Sequence, residues 1–257
     1  MQIDINCDMG ESFGHYKLGN DIALLEYVTS ANVACGFHAG DPLVMSETVR
    51  LALDKGVAVG AHPSYPDLQG FGRRKMEMTP AEIEAFILYQ IGALAAFVHT
   101  QGTTLTHVKA HGAVYNVAAL ELPVAEAIAR GIARFDQTLI MVALATSPLM
   151  IEAGHRAGLQ VAREAFADRK YNPDGTLVNR KLPGSLITDP VKAAEQVVRL
   201  VKKGEIIASD GSILELQADT VCIHGDGPTA LEIARHLRET LATENIKTCA
   251  LQKRGEN

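Results

Sequence analysis

Seven times along these 257 residues a short β-like run, in six cases with one polar and one apolar face, gives way to a stretch with a helical pattern. The runs are Gln2–Asp8, Ala31–His38, Val57–His62, Leu105–His111, Leu139–Ala145, Gln160–Asp168 and Thr220–Asp226. In the first, Gln2, Asp4, Asn6 and Asp8 share one face of an extended chain, and Ile3, Ile5 and Cys7 share the other. The same division puts Asn32 with His38, His107 with Lys109 and His111, Glu164 with Asp168, and Cys222 with His224 and Asp226. Between the runs, Asp41-Pro42 and Asp189-Pro190 each set an N-cap acid before a proline suited to the first helical position. Thr79-Pro80-Ala81-Glu82 adds a capping-box glutamate. Alternating β and α units predict a parallel sheet with crossover helices. An open sheet covered on both faces would need near-continuous apolar strands, and only Leu139–Ala145 reads that way. The pattern therefore predicts an α/β single domain over residues 1–257, an irregular seven-stranded β/α (TIM-like) barrel.

Composition narrows the function classes. Hydrophobic residues make up 47% and charged residues 21%, which suits a folded chain with a sizeable core. The net charge of −6 argues against nucleic acid as a partner. No apolar run reaches the roughly 18 residues of a membrane span; the best, Ile87 to Val98, contains Gln90. Gln2-Ile3-Asp4 is no signal-peptide start. Cys7, Cys35, Cys222 and Cys249 show no CxxC spacing, as expected of reduced thiols in the cytoplasm.

A barrel would gather Asp8, His38, His62, Lys109, His111, Glu164, Asp168, His224 and Asp226 at its mouth. A single acid at a strand end is ordinarily a helix cap, and a lone histidine ordinarily packs. Six strands ending in inward polar groups are different, because charges crowded in a poorly hydrated cavity cost energy unless they pair or bind something. Asp8, Asp168 and Asp226 suit general-base work or the orientation of an imidazole. His38, His62, His111 and His224 can transfer protons near neutral pH or ligate a metal. Lys109 suits an oxyanion or a substrate carboxylate. A divalent metal is left open: there is no HExxH, and His107-x-x-x-His111 falls on a predicted strand. Two long segments, Pro63 to Met78 with Arg73 and Arg74, and Asp168 to Thr188 with Arg169 and Arg180, are candidate lids whose guanidinium groups fit carboxylate or phosphate. Gly225-Asp226-Gly227-Pro228 leads into a helical pattern and could present N–H groups to an anion, while a Walker P-loop is absent.

Asp4-Ile5-Asn6-Cys7-Asp8-Met9-Gly10-Glu11, Ala34-Cys35-Gly36-Phe37-His38-Ala39-Gly40-Asp41-Pro42 and Gly60-Ala61-His62-Pro63-Ser64-Tyr65-Pro66-Asp67 resemble motifs of the LamB/YcsF family. Gly70-Phe71-Gly72-Arg73-Arg74, Val108-Lys109-Ala110-His111-Gly112-Ala113, Glu164-Ala165-Phe166-Ala167-Asp168-Arg169 and His224-Gly225-Asp226 extend the likeness from near Ile3 to about Leu237. Ala110, and the order Gly227-Pro228-Thr229, depart from the family pattern beside motif residues. The resemblance implies the A subunit of an ATP-dependent 5-oxoprolinase, which turns 5-oxoproline, ATP and water into L-glutamate, ADP and phosphate with two further subunits, B and C. It marks Asn6, Glu11, Arg73, Arg74, Glu164 and Arg169 as binding positions for substrate or ATP. It marks Asp8, His38, His62, Lys109, His111, Asp168, His224 and Asp226 as catalytic ones. Under it, Asp8 or Asp226, paired with His38 or His62, activates water. The barrel also looks like the glycoside hydrolase/deacetylase superfamily, which keeps two alternatives in view: a metal-dependent deacylase acting alone, and a non-catalytic binding subunit.

Overall fold

The computed structural model describes residues 1–225 and 227–255. β1 (Gln2–Met9), β2 (Ser30–Ala34), β3 (Ala58–His62), β4 (His107–Val108), β5 (Ile140–Leu144), β6 (Gln160–Phe166) and β9 (Thr220–Ile223) are parallel neighbours in that order. β9 pairs with both β6 and β1, which closes a seven-stranded barrel. The remaining strands are an antiparallel hairpin, β7 (Glu205–Ile207) and β8 (Ile213–Glu215), and β10 (Lys247–Thr248) beside the start of β1. Neither appeared in the alternation pattern, because each strand is only two or three residues long.

The helices are α1 (Asp21–Leu24), α2 (Pro42–Asp54), α3 (Pro80–Thr100), α4 (Gly112–Ala118), α5 (Leu122–Phe135), α6 (Pro148–Arg156), α7 (Pro190–Lys203) and α8 (Ala230–Thr243). The anticipated starts hold. Asp41 accepts from the N–H groups of Leu43 and Val44, Asp189 from that of Val191, and Thr79 with Glu82 forms a reciprocal capping box. α3, at 21 residues, is long and apolar enough to cross a membrane by length and composition. Its Ile83, Ile87, Ile91, Leu94 and Val98 are instead buried in the common core, and Gln90 bonds both the N–H and the C=O of Ser64.

The division of faces is as the alternation predicts. Ile3, Ile5, Cys7 and Met9 point out of β1 into the apolar layer beneath the helices, while Asp4, Asn6 and Asp8 point to the axis and are nearly as buried. Several strands stop short of the expected runs. β2 ends at Ala34 because Gly36 (φ +93°) turns the chain and bonds the Ala39 carbonyl. β4 keeps only two ladder residues, although Lys109 and His111 still donate N–H groups to Ala61 and Pro63 beside β3. β9 ends at Ile223. These early ends put His38, His111 and His224 on irregular backbone just above the barrel, where their side chains can converge.

Candidate active site

Polar side chains on the barrel axis form three tiers, opposite an apolar strip of Ile140, Val142 and Ala162 on β5 and β6. At the floor, the Asp4 carboxylate accepts from the hydroxyls of Thr29 (2.6 Å), Ser30 (2.7 Å) and Thr220. Burial raises the Asp4 pKa, and the three hydroxyls oppose that rise. Above it, Asn6 donates to Thr220 Oγ1 (2.7 Å) and accepts from Asn32 (2.7 Å), whose carbonyl oxygen lies 2.7 Å from His107 Nε2. Burial takes the His107 pKa down to about 3, so its ring is neutral and Nε2 is the donor. Gly60 makes this possible: a Cβ there would stand 2.2 Å from the His107 ring.

The third tier is ionic. Lys109 Nζ lies 2.9 Å from Asp8 Oδ1, 2.9 Å from Glu164 Oε1, 3.0 Å from Cys222 Sγ and 3.3 Å from Asn6 Oδ1. Burial alone would lower the Lys109 pKa, but Asp8, Cys222 and Glu164 hold it well above its ordinary value. Burial likewise pushes Asp8 up, and His62 and Lys109 more than reverse this, leaving it well below the usual carboxylate range. Asp8 is therefore an anion throughout the neutral range. Tyr115 donates to the other Glu164 oxygen at 2.6 Å.

Imidazoles form the mouth. His62 Nε2 sits 3.3 Å from Asp8 Oδ2 and 3.0 Å from His111 Nδ1. His111 stacks on His38, with centroids 3.9 Å apart, and burial drives the pKa of both rings well down. Glu11, His38, His62 and His111 bring one ligand atom each to within 4.8 Å of one another, a set of donors able to hold a metal ion. On the far side, His224 Nδ1 meets Asp168 at 2.9 Å, and its backbone N–H also donates to that carboxylate. The His224 ring stacks on Phe166. Burial would raise the Asp168 pKa, and His224 outweighs it, so Asp168 is held low.

These groups line a cavity of about 630 Å³ whose wall includes Asp8, His62, Lys109, His111 and His224. Arg73, Arg169, Arg180 and Lys181 stand around it. Arg73 lies 4.8 Å over the Phe71 ring, and Arg169 is tied to the Val178 carbonyl. Both anticipated lid segments thus contribute cations. Arg74 is placed elsewhere: its guanidinium is ion-paired with Asp67 inside its own loop, and its side chain is 65% exposed. Asn6 and Glu164 act below the cavity as partners of Lys109, and Asp226 lies outside the described residues. Sequence reasoning passed over Tyr115, Asn32 and Phe71. Tyr115 is on α4 and Phe71 acts through its carbonyl, which His111 Nε2 meets at 2.9 Å, so only Asn32, on the inward face of its run, carried a signal.

The LamB/YcsF family model matches residues 3–256. A Methylococcus capsulatus protein, named as the A subunit of 5-oxoprolinase, is 55% identical over 97% of this chain and 95% of its own. One of the same name from Pyrococcus abyssi is 53% identical over 98% of both. The crystal structure of a lactam utilization protein from Thermus thermophilus superposes with a TM-score of 0.93, at 47% identity, over 98% of this chain and all of the other.

Proposed function

Since the chain belongs to the LamB/YcsF family, we propose that it is the A subunit of an ATP-dependent 5-oxoprolinase, a hydrolase that opens 5-oxo-L-proline to L-glutamate. The observation that carries this reading is the buried Asp8–Lys109–Glu164 cluster, opening to a cavity walled by two separate imidazole assemblies. Relatives that bear the 5-oxoprolinase name over nearly full length support it.

A lactam carbonyl is a poor electrophile because the ring nitrogen feeds electron density into it. Phosphoryl transfer from ATP to the lactam oxygen would make C5 open to water, which is why we take ATP as co-substrate. The chain's own groups then divide the work. Asp8, ionised and in contact with His62, accepts the proton of the attacking water. The tetrahedral adduct expels the ring nitrogen, which needs a proton, and His224, oriented by Asp168, faces the same cavity to give it. A second water then cleaves the γ-carboxyl phosphate so formed, releasing phosphate and the glutamate side-chain carboxylate. Lys109 helps keep Asp8 ionised and ion-pairs with Glu164 on its other side, in a site that excludes most water. Arg73 and Arg169 stand at the mouth to hold the substrate carboxylate or the transferring phosphoryl group.

Two partner subunits, B and C, complete the enzyme in this reading; the relatives' names, which make each of them one lettered subunit of 5-oxoprolinase, support it. The four cysteines are all unpaired, which favours a cytoplasmic location. The test is glutamate release from 5-oxoproline and ATP, with the chain alone and mixed with its two candidate partners. Release requiring both ATP and the partners is expected. An assembled complex that releases no glutamate removes the proposal. Within an active complex, Asp8→Asn should lower turnover at least ~100-fold, the usual scale of a general base.

A further inference from the structure

His62 and His111 are held by backbone carbonyls that can only accept. His62 Nδ1 lies 2.7 Å from the Lys109 carbonyl oxygen, and His111 Nε2 lies 2.9 Å from that of Phe71. Each ring must carry its proton on the nitrogen so engaged. That leaves the lone pairs of His62 Nε2 and His111 Nδ1 facing each other across 3.0 Å, with Asp8 Oδ2 a further 3.3 Å from the first. Three acceptors converge there, and only positive charge between them relieves the repulsion.

Glu11 and His38 complete the set. Glu11 Oε1 is 3.8 Å from both His38 Nε2 and His111 Nδ1. His38 is 1% exposed, yet neither of its ring nitrogens has a hydrogen-bond partner, an expensive state for a buried imidazole. A proton shared by His62 and His111 would settle that pair and leave His38 unanswered. A metal ion settles that pair and also engages one His38 nitrogen, Nε2, which lies beside Glu11.

We infer that Glu11, His38, His62 and His111 form a binding site for one divalent transition-metal ion of borderline softness, such as zinc. Three imidazoles and a carboxylate are a donor set suited to such an ion. Tetrahedral bonds of about 2.0–2.1 Å place ligand atoms about 3.3 Å apart, and the four atoms here already lie within 4.8 Å. Ligating histidines ordinarily donate their second N–H to a carbonyl or carboxylate, as His62 and His111 do. Coordination by His38 as well requires its ring to leave the stack on His111, and that rotation breaks no hydrogen bond. The inference stands apart from the reaction proposed above and is tested without it.

The purified full chain is dialysed against zinc, then against metal-free buffer, and its metal content is measured; cobalt(II) replaces zinc in a parallel sample. About one equivalent retained, with the intense visible absorption of tetrahedral cobalt, is the expected result. Glu11→Gln, nearly isosteric, and His38→Ala should each weaken zinc binding at least ~10-fold, with the thermal transition of Glu11→Gln unchanged. Zinc bound equally well by both variants would place it elsewhere and overturn the inference. So would a folded chain that retains none and whose nitrogen-15 histidine spectrum, unaltered by zinc, shows His62 protonated on both nitrogens. In that case the charge between the rings is a proton.

Discussion

Lys109 offers three N–H groups to Asp8, Asn6 and Cys222 and forms an ion pair with Glu164, so two of its four neighbours are carboxylates buried with it. Lys109→Met would leave Asp8 and Glu164 facing each other without a cation. Breaking such a buried set costs about 3–5 kcal/mol. Chemical denaturation should show a loss of that size, and Glu164→Gln on the same background should recover part of it. Asp168 supplies a prediction with a sign. Its pKa is depressed by His224 against the upward push of burial, so the stability it contributes is complete above the unfolded value of about 3.9 and disappears as pH falls through the folded one. Unfolding free energy followed from about pH 6 to pH 3 should fall less steeply in Asp168→Asn than in the parent chain. Gly60→Ala should cost about 1–3 kcal/mol, because its new methyl meets the His107 ring and can be relieved only by moving that ring off Asn32. The sequence made Asp8, His62, Lys109 and His111 readable because each sits on the polar face of an alternating run or directly after one. It misdirected attention to Arg74, since a positive charge in a long loop does not reveal that Asp67, seven residues earlier, already holds it.

Elements were readable in proportion to how much local chemistry marked them. Asp41, Thr79 and Asp189 carry their caps in the sequence, and the helices start beside them. Thr79→Ala removes the hydroxyl half of the reciprocal cap on α3, leaving the backbone N–H of residue 79 to donate to Glu82, and should lower stability by about 1 kcal/mol by thermal or chemical unfolding. Strand ends were harder to place. Alternation continues through Ala31–His38, but the hydrogen-bond ladder depends on neighbours that are distant in sequence, and it stops at Ala34. The hairpin β7–β8 and the short β10 had no pattern long enough to see. Nor did the segment after β10, which packs against the axial face of β5 and β6 at the lower end of the barrel. There Leu251 covers Ile140, Val142 and Ala162, while Gln160 bonds the Gln252 carbonyl and the Arg254 N–H. Leu251→Asp should therefore destabilise the fold by about 1–2 kcal/mol, although it is remote from the cavity.

For the molecule as a whole, alternation distinguished a closed barrel from an open sheet, because a chain that buries polar residues along one strand face needs an interior where they can meet. Closure joins β1 to β9 across most of the sequence, so neither strand can leave without opening the ring. Native-state hydrogen exchange should find the amides of Asp4 and Val221 equally protected, at the free energy of global unfolding, while those of Ile207 and Ile213 in the outer hairpin exchange sooner. The apolar shell and the polar axis also face different futures under mutation. Shell residues such as Ile3, Val33 and Ile91 contact their neighbours through shape alone, and one aliphatic group can be exchanged for another of similar volume. On the axis, Asp4 is answered by Thr220, Thr220 by Asn6, Asn6 by Asn32 and Lys109, and Lys109 by Asp8. Each is part of another's remedy for burial, so a lone replacement strands a neighbour. Lineages descending from this chain can let the shell drift one residue at a time, but they can rewrite the axis only by concerted, compensating steps.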